Sequence, residues 1–176
     1  MLTDKKVSGI QKADWDIDIP VGEITSSEVT VEFYIRDIVP ENPSKFGVLG
    51  GGGSNFYYIL SENGNTGSAL SGGWTNVELW IDDVDYSASN RDQVHDALIG
   101  SGDHKVWIKL SNYQHTAHYL RIMDYKNDSF NVASAQIHDL KLDNGSTGSW
   151  DSHWPLADHL DVTDQIGTAA LTITAR

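Results

Sequence analysis

The feature that most constrains the fold of this chain is an alternation of apolar and polar residues with a period of two. Residues 29–36 read VTVEFYIR, so every second side chain is apolar. Successive side chains of a β-strand point to opposite faces, whereas a helix repeats about every 3.6 residues. The segment therefore predicts a strand with one apolar face. Similar alternation occurs at residues 15–19, 77–82, 106–110, 131–143 and 171–173, and the irregular spacing within 131–143 predicts a bulge.

Turn-forming residues lie between these segments. Glycine and asparagine tolerate the left-handed backbone conformations that tight turns between strands require. Short strands separated by such turns predict an all-β fold, an antiparallel β-sandwich. Turn segments that contain glycine occur at residues 50–53, 63–64, 71–73, 101–103 and 144–145.

The whole chain, residues 1–176, is predicted to form a single β-sandwich domain, with residues 1–13 and 144–176 as candidate peripheral segments. A chain of this length is typical of one domain with a sizeable core. The one helical pattern is NRDQVHDAL at residues 90–98, where Asn90 is the predicted N-cap of a short helix.

Composition narrows the classes of function. The net charge is −13, from 25 acidic and 12 basic side chains, which argues against binding to nucleic acid or to anionic membranes. No apolar run approaches the roughly 20 residues needed to span a bilayer. The chain has no cysteine, which excludes disulfides, thiol catalysis and cysteine-bound zinc. Its polar start, MLTDKK, is unlike a secretion signal, so either the protein stays in the cell that makes it or Met1 is not the natural start.

The order of features between residues 28 and 144 carries a resemblance to a known fold family. VTVEFYIR at 29–36 is followed by a glycine-rich segment with aromatics at 50–60, a strand at 77–82, GDHKVWIK at 102–109 and AQIHDLKLDNG at 135–145. This series resembles a concanavalin A-like lectin or laminin-G-like domain. The resemblance covers about two thirds of the chain and implies a jelly roll.

A later segment suggests a biological setting. WDSHWPL at residues 150–156 and DQIG at 164–167 are similar to phrases in bacteriophage virion proteins that carry such jelly rolls. That similarity implies a non-catalytic structural or adhesion module of a virion, either a capsid decoration or a tail fibre or spike, assembled in the host cytoplasm. The expected partners are other virion proteins, a cell-surface glycan, or further copies of the chain in a homo-oligomer, with a trimer as one candidate.

Glycan binding is expected to depend on exposed aromatic rings, which stack on the apolar face of a sugar. The candidate ligand-binding residues are Tyr57 and Tyr58 after the glycine run, Trp74 in its Gly-Gly-Trp turn, and Tyr86. Trp80 alternates with apolar residues, and one strand does not decide whether its face is core or solvent. Trp107 is expected to pack between the sheets or at a subunit contact.

Four aspartates are candidate calcium ligands, because calcium prefers oxygen donors and several lectin-like jelly rolls hold it near their ligand. They are Asp82, Asp83, Asp85 and Asp92, whose spacing does not match an EF-hand, and an ordinary acidic loop is the alternative interpretation. No other cofactor is predicted.

Two alternative functions remain open at this stage. One is a carbohydrate-binding module of an extracellular polysaccharide-degrading system. The other is a divergent glycoside hydrolase, which requires two carboxylates about 5 to 10 Å apart across a cleft. The Glu-x-Asp-x-x-Glu pattern of jelly-roll glycosidases does not occur in this chain, so a non-enzymatic role is predicted.

Overall fold

The computed structural model describes residues 10–11, 15–20, 28–40, 45–53, 57–72, 76–111, 117–123, 132–143, 145, 149–156 and 172–175. These residues form thirteen strands and one helix. The elements are β1 Ile10–Gln11, β2 Trp15–Pro20, β3 Glu28–Pro40, β4 Lys45–Gly53, β5 Tyr57–Glu62, β6 Leu70–Gly72, β7 Asn76–Ile81, β8 Val84–Asp85, α1 Arg91–Leu98, β9 His104–Ser111, β10 Ala117–Ile122, β11 Val132–Asp143, β12 Ser152–Trp154 and β13 Thr172–Ala175.

The strands form two antiparallel sheets that together make a β-sandwich, as the alternation predicted. The order in the first sheet is β1-β11-β3-β9-β7-β8, and β12 pairs with β11. The order in the second sheet is β13-β2-β10-β4-β5-β6. Parts of both predicted peripheral segments lie within these sheets, since β1 and β12 pair with β11 while β13 pairs with β2.

The core lies between the sheets and is built from the apolar phase of each alternating strand. In β3 the four apolar residues at positions 29, 31, 33 and 35 are all fully buried. Their neighbours at 30, 32, 34 and 36 therefore face outward on the first sheet. In β9, Val106, Ile108 and Leu110 are buried in the same way, and Leu79 and Ile81 are the buried residues of β7.

The predicted irregularity in β11 is confirmed as a change of register opposite β3. Ile137 pairs with Ile35 before the irregularity, and Leu142 pairs with Val31 after it. Asp139 lies between them with a φ of 52°, a left-handed conformation that aspartate tolerates better than most residues. The extra residue shifts the buried positions of β11 from odd to even numbers, and this places Lys141 on the outer face.

The predicted helix is confirmed, together with its cap. The Asn90 side chain accepts a hydrogen bond from the Gln93 backbone N at 2.9 Å, and the Gln93 side chain accepts one from the Asn90 backbone N at 3.0 Å. This reciprocal pair is a capping box, which satisfies two otherwise free backbone donors. α1 has eight residues and packs near β5, and no described helix is long and apolar enough to cross a membrane.

Candidate functional site

The outer face of the first sheet carries an open groove of about 400 Å³. Its floor consists of outward-facing residues of three adjacent strands, β3, β9 and β7, and the turn after β7 closes one side. The lining residues are Glu32, Glu78, Trp80, Asp83, Lys105 and Trp107.

Strand register places the central residues of the groove in one row across the sheet. Glu32 on β3 lies opposite Trp107 on β9, and Trp107 lies opposite Trp80 on β7. The row continues on the other side of β3, where Lys141 lies opposite Glu32. Side chains directly opposite each other on one face of an antiparallel pair have Cβ atoms about 4.5–5.5 Å apart. The two indoles are therefore direct neighbours on the outer surface.

Both tryptophans present surface to solvent. Trp80 is 36% exposed and Trp107 is half-buried. Within the described part of the chain, neither ring stacks on another aromatic ring or lies beneath a cation. The expectation that Trp107 packs between the sheets is wrong, because Trp107 alternates with the buried residues Val106 and Ile108 and so faces outward.

Two lysines pair with two of the three carboxylates of the groove. The Lys105 ammonium donates a short hydrogen bond to Asp83, and the Lys141 ammonium donates one to Glu32 at 2.8 Å. The hydrogen bond to Asp83 is the main reason that the pKa of Lys105 is raised, so this lysine remains protonated in the groove. The Glu32–Lys141 pair lies at the β3 end of the tryptophan row, and the Lys105–Asp83 pair lies beside the row, next to the turn after β7.

The third carboxylate, that of Glu78, has no such partner. Lys109 lies opposite Glu78 on β9, but its ammonium is directed to Glu28, at an N–O distance of 3.6 Å. The Glu78 side chain is exposed and makes no hydrogen bond or ion pair with any residue that the structure describes. The groove thus presents, beside two indole rings, one carboxylate that has no ion-pair partner among the described residues.

Three of the four ligand-binding residues predicted from the sequence lie on parts of the fold other than those that form this groove. Tyr57 and Tyr58 belong to β5, in the second sheet. Tyr86 is half-buried and packs against the core, and its backbone N donates to the Leu79 carbonyl at 2.7 Å. Trp74 lies outside the described residues.

Two of the predicted calcium ligands, Asp82 and Asp83, form the two-residue turn between β7 and β8. Their φ values are 51° and 66°, as in a type I′ hairpin turn. Asp82 accepts a hydrogen bond from the Lys105 backbone N at 2.8 Å and contacts the His104 Nδ1 at 2.7 Å. These contacts hold the turn against β9 and position Asp83 at the edge of the groove.

The other two predicted calcium ligands, Asp85 and Asp92, accept hydrogen bonds from backbone groups outside this turn. Asp85 accepts a hydrogen bond from the Ser87 backbone N at 2.8 Å, and its hydrogen bonds with Ser87 lower the pKa of Asp85. Asp92, in the first turn of α1, accepts from the Gly64 backbone N at 2.5 Å. Across the described ranges, no three histidine, aspartate or glutamate side chains are arranged to hold a metal ion. Calcium binding stays a prediction without a geometric site to support it.

A chain of histidines and aspartates at the β11 bulge was not predicted from the sequence. Asp139 contacts the His153 Nε2 at 2.9 Å and the His138 Nδ1 at 3.5 Å, and the His138 Nε2 contacts Asp103 at 3.1 Å. The Tyr34 ring stacks on His138 with centroids 5.3 Å apart. These contacts join β11 to β12, to β3 and to the turn before β9. We assign these linked histidines and aspartates a structural role, because their contacts hold the bulge of β11.

Searches for similar proteins give no further guide to function: the chain matches no protein family, no curated protein and no solved structure.

Proposed function

We propose that this protein is a non-catalytic binding module that holds a glycan in the groove of Trp80 and Trp107. The observation that carries the proposal is the pair of neighbouring indoles on the solvent face of a sheet, both partly exposed to solvent. Tryptophan combines a large apolar surface with a hydrogen-bonding N–H, and these are the properties that contact with a sugar ring requires. Trp80 and Trp107 are thus the ligand platform that we propose, and Tyr57, Tyr58, Trp74 and Tyr86 stay a prediction from the sequence.

The polar lining suits hydroxyl groups. Ionised carboxylates accept hydrogen bonds and an ammonium donates them, so Glu78 and Lys105 can orient a sugar that stacks on the indoles. The groove is open and lies on a sheet surface. It therefore suits an extended oligosaccharide better than a small molecule, which binds in an enclosed pocket. This combination of an apolar platform with a few polar groups is typical of ligand sites.

The placement of the carboxylates supports binding rather than hydrolysis. Glu32 and Glu78 lie on β3 and β7, on either side of β9, and are offset by two residues along it. Their Cα atoms are therefore about 12 Å apart, from two strand spacings and two residue rises. Glycosidases need two carboxyl groups about 5 to 10 Å apart that are free to transfer a proton or attack the sugar, whereas in this groove Glu32 is held in an ion pair by Lys141.

Titration calorimetry with soluble oligosaccharides tests the proposal. We expect Trp80→Ala to weaken binding at least about tenfold, since losing about 1.4 kcal/mol of stacking contact changes the dissociation constant by that factor. Trp74→Ala is the matched control, because it removes the tryptophan that the sequence favoured. Binding that survives Trp80→Ala and is lost in Trp74→Ala would overturn the proposal.

For the biological setting, we propose an adhesive component of a bacteriophage virion with a jelly-roll fold. Two resemblances support this setting: that of residues 28–144 to a lectin-like jelly roll, and that of residues 150–156 and 164–167 to phrases in bacteriophage virion proteins. Light scattering with and without EDTA tests it through the solution mass. A calcium-independent homo-oligomer is the expected result. A monomer would favour the alternative, a carbohydrate-binding module of an extracellular polysaccharide-degrading system.

A further inference from the structure

The charges of the groove are not balanced. Asp83 and Glu32 are paired with Lys105 and Lys141, whereas Glu78 has no pairing partner among the described residues. The whole chain is also strongly acidic, with a net charge of −13. A cleft with an excess of one charge raises the local concentration of ligands with the opposite charge. The electrostatics of the groove therefore favour a cation.

The indole rings supply a second attraction for the same kind of group. Glu78 and Trp80 are two residues apart on one face of β7, so their Cβ atoms are about 7 Å apart. A cation within about 6 Å of an indole centroid is attracted to the face of the ring. One ammonium group has room to contact the Trp80 ring and the Glu78 carboxylate together.

The lysines that the structure describes leave these two rings open. Lys141 lies over the ring of a different tryptophan, Trp150, at 5.7 Å from its centroid. Lys105 is directed to Asp83 instead of to either indole. In the described part of the chain, the faces of Trp80 and Trp107 carry no protein cation.

We infer that the glycan held in this groove carries free amino groups, and that its ammonium binds between the Trp80 ring and the Glu78 carboxylate. This inference rests on the proposed glycan-binding function of the same groove and names the class of sugar. N-acetylation removes the positive charge and with it both attractions. A carboxylated sugar is repelled by Glu78. The expected order of affinity is amino glycan, then neutral glycan, then acidic glycan.

Three oligosaccharides of equal length and one backbone test the preference for an amino glycan over neutral glycans: a β-1,4-glucosamine oligomer, its fully N-acetylated form, and a cello-oligosaccharide. Calorimetry is run with the wild-type chain at about pH 6, where an amine is protonated and an ordinary glutamate is ionised. We expect the glucosamine oligomer to bind about tenfold more tightly than its acetylated form. Added salt is expected to reduce this advantage, because it screens the charge on Glu78.

Glu78→Gln should remove most of the difference in affinity between the glucosamine oligomer and its acetylated form. The affinity for the acetylated oligomer itself should stay unchanged. Asp96→Asn is the matched control, because Asp96 is 77% exposed on α1, next to the other sheet, and its replacement changes the net charge equally. The control should keep the full advantage. A loss of equal size in both variants would overturn the assignment to Glu78.

The results separate this inference from the proposed function. Equal affinities for the amino and acetylated oligomers would overturn the inference and leave glycan binding in place. Choline serves as a fourth probe, and binding of choline with no binding of any oligosaccharide would overturn glycan binding and leave ammonium recognition. If none of the four probes binds, both are overturned.

Discussion

His95 lies on the inner side of α1 with 6% of its surface exposed, and neither ring nitrogen has a hydrogen-bond partner. Its Nδ1 is 3.6 Å from the Asp96 carboxylate, which is beyond hydrogen-bonding distance and on an exposed side chain. The ring lies beside Phe46, with centroids 6.0 Å apart. The site is therefore apolar, and we expect His95→Leu to stabilise the protein.

The size of the gain follows from the unsatisfied ring. A buried polar group without a partner costs about 1–3 kcal/mol, and leucine also has a slightly better helix propensity than histidine. We expect the free energy of unfolding to rise by about 1–3 kcal/mol. For a chain of this length, that corresponds to an increase in Tm of about 3–9 °C.

Urea unfolding followed by circular dichroism measures the change, with His95→Gln as the matched control at the same position. Glutamine has a helix propensity close to that of leucine but keeps a polar group in the apolar site. We expect stabilisation by leucine and none by glutamine. Equal gains in the two variants would assign the effect to helix propensity, and a loss with leucine would refute the reasoning about His95.

Two further predictions concern the helix cap and the bulge. Asn90→Ala removes the capping box of α1 and should lower the free energy of unfolding by about 1 kcal/mol, measured by urea unfolding, whereas Asn63→Ala at an exposed turn should have almost no effect. Burial acts to raise the pKa of Asp139, but the His153 hydrogen bond and the charges of His138 and His153 lower it overall. Because the pKa of Asp139 is lower in the folded than in the unfolded chain, its contacts with the two histidines stabilise the fold above about pH 4. This stabilisation is lost as the pH falls through the pKa of Asp139 in the folded chain. Acid unfolding should therefore become less steep in Asp139→Asn, and an unchanged pH profile would contradict the role of these contacts.

Local pattern was sufficient to predict the strand faces and the helix. The alternation in residues 29–36 indicates which residues of β3 are buried, and the side-chain chemistry of Asn90 indicates where α1 begins. The irregularity of β11 was also visible in the sequence. Each of these features is decided by neighbours within a few residues, so a single sequence contains the necessary information.

The pairing of the strands could not be predicted in the same way. β3 lies between β11 and β9, and the ion pair of Glu32 with Lys141 joins residues 109 positions apart. The neighbouring positions of Trp80 and Trp107 depend on the register of β7 against β9, which the sequence does not specify. The outward direction of Trp107 was predictable, since its neighbours Val106 and Ile108 are apolar.

The aspartates show how one sequence signal fits both a structural and a functional interpretation. Asp82 and Asp83 are predicted calcium ligands, and in the structure they also occupy a turn that requires two residues with positive φ. Aspartate suits that backbone conformation because its short polar side chain forms local hydrogen bonds. Both interpretations predict acidic residues at the same positions, so calcium binding stays a prediction.

The central claim is that Trp80 and Trp107 form the ligand-binding surface, and an NMR titration tests it most directly. The indole N–H signals of the six tryptophans are assigned by single substitution and followed as the β-1,4-glucosamine oligomer and the cello-oligosaccharide are each added. The account predicts that the signals of Trp80 and Trp107 shift together with saturable binding, while that of the fully buried Trp154 stays unchanged. Saturable binding that shifts the Trp74 signal and leaves Trp80 and Trp107 unmoved would contradict it.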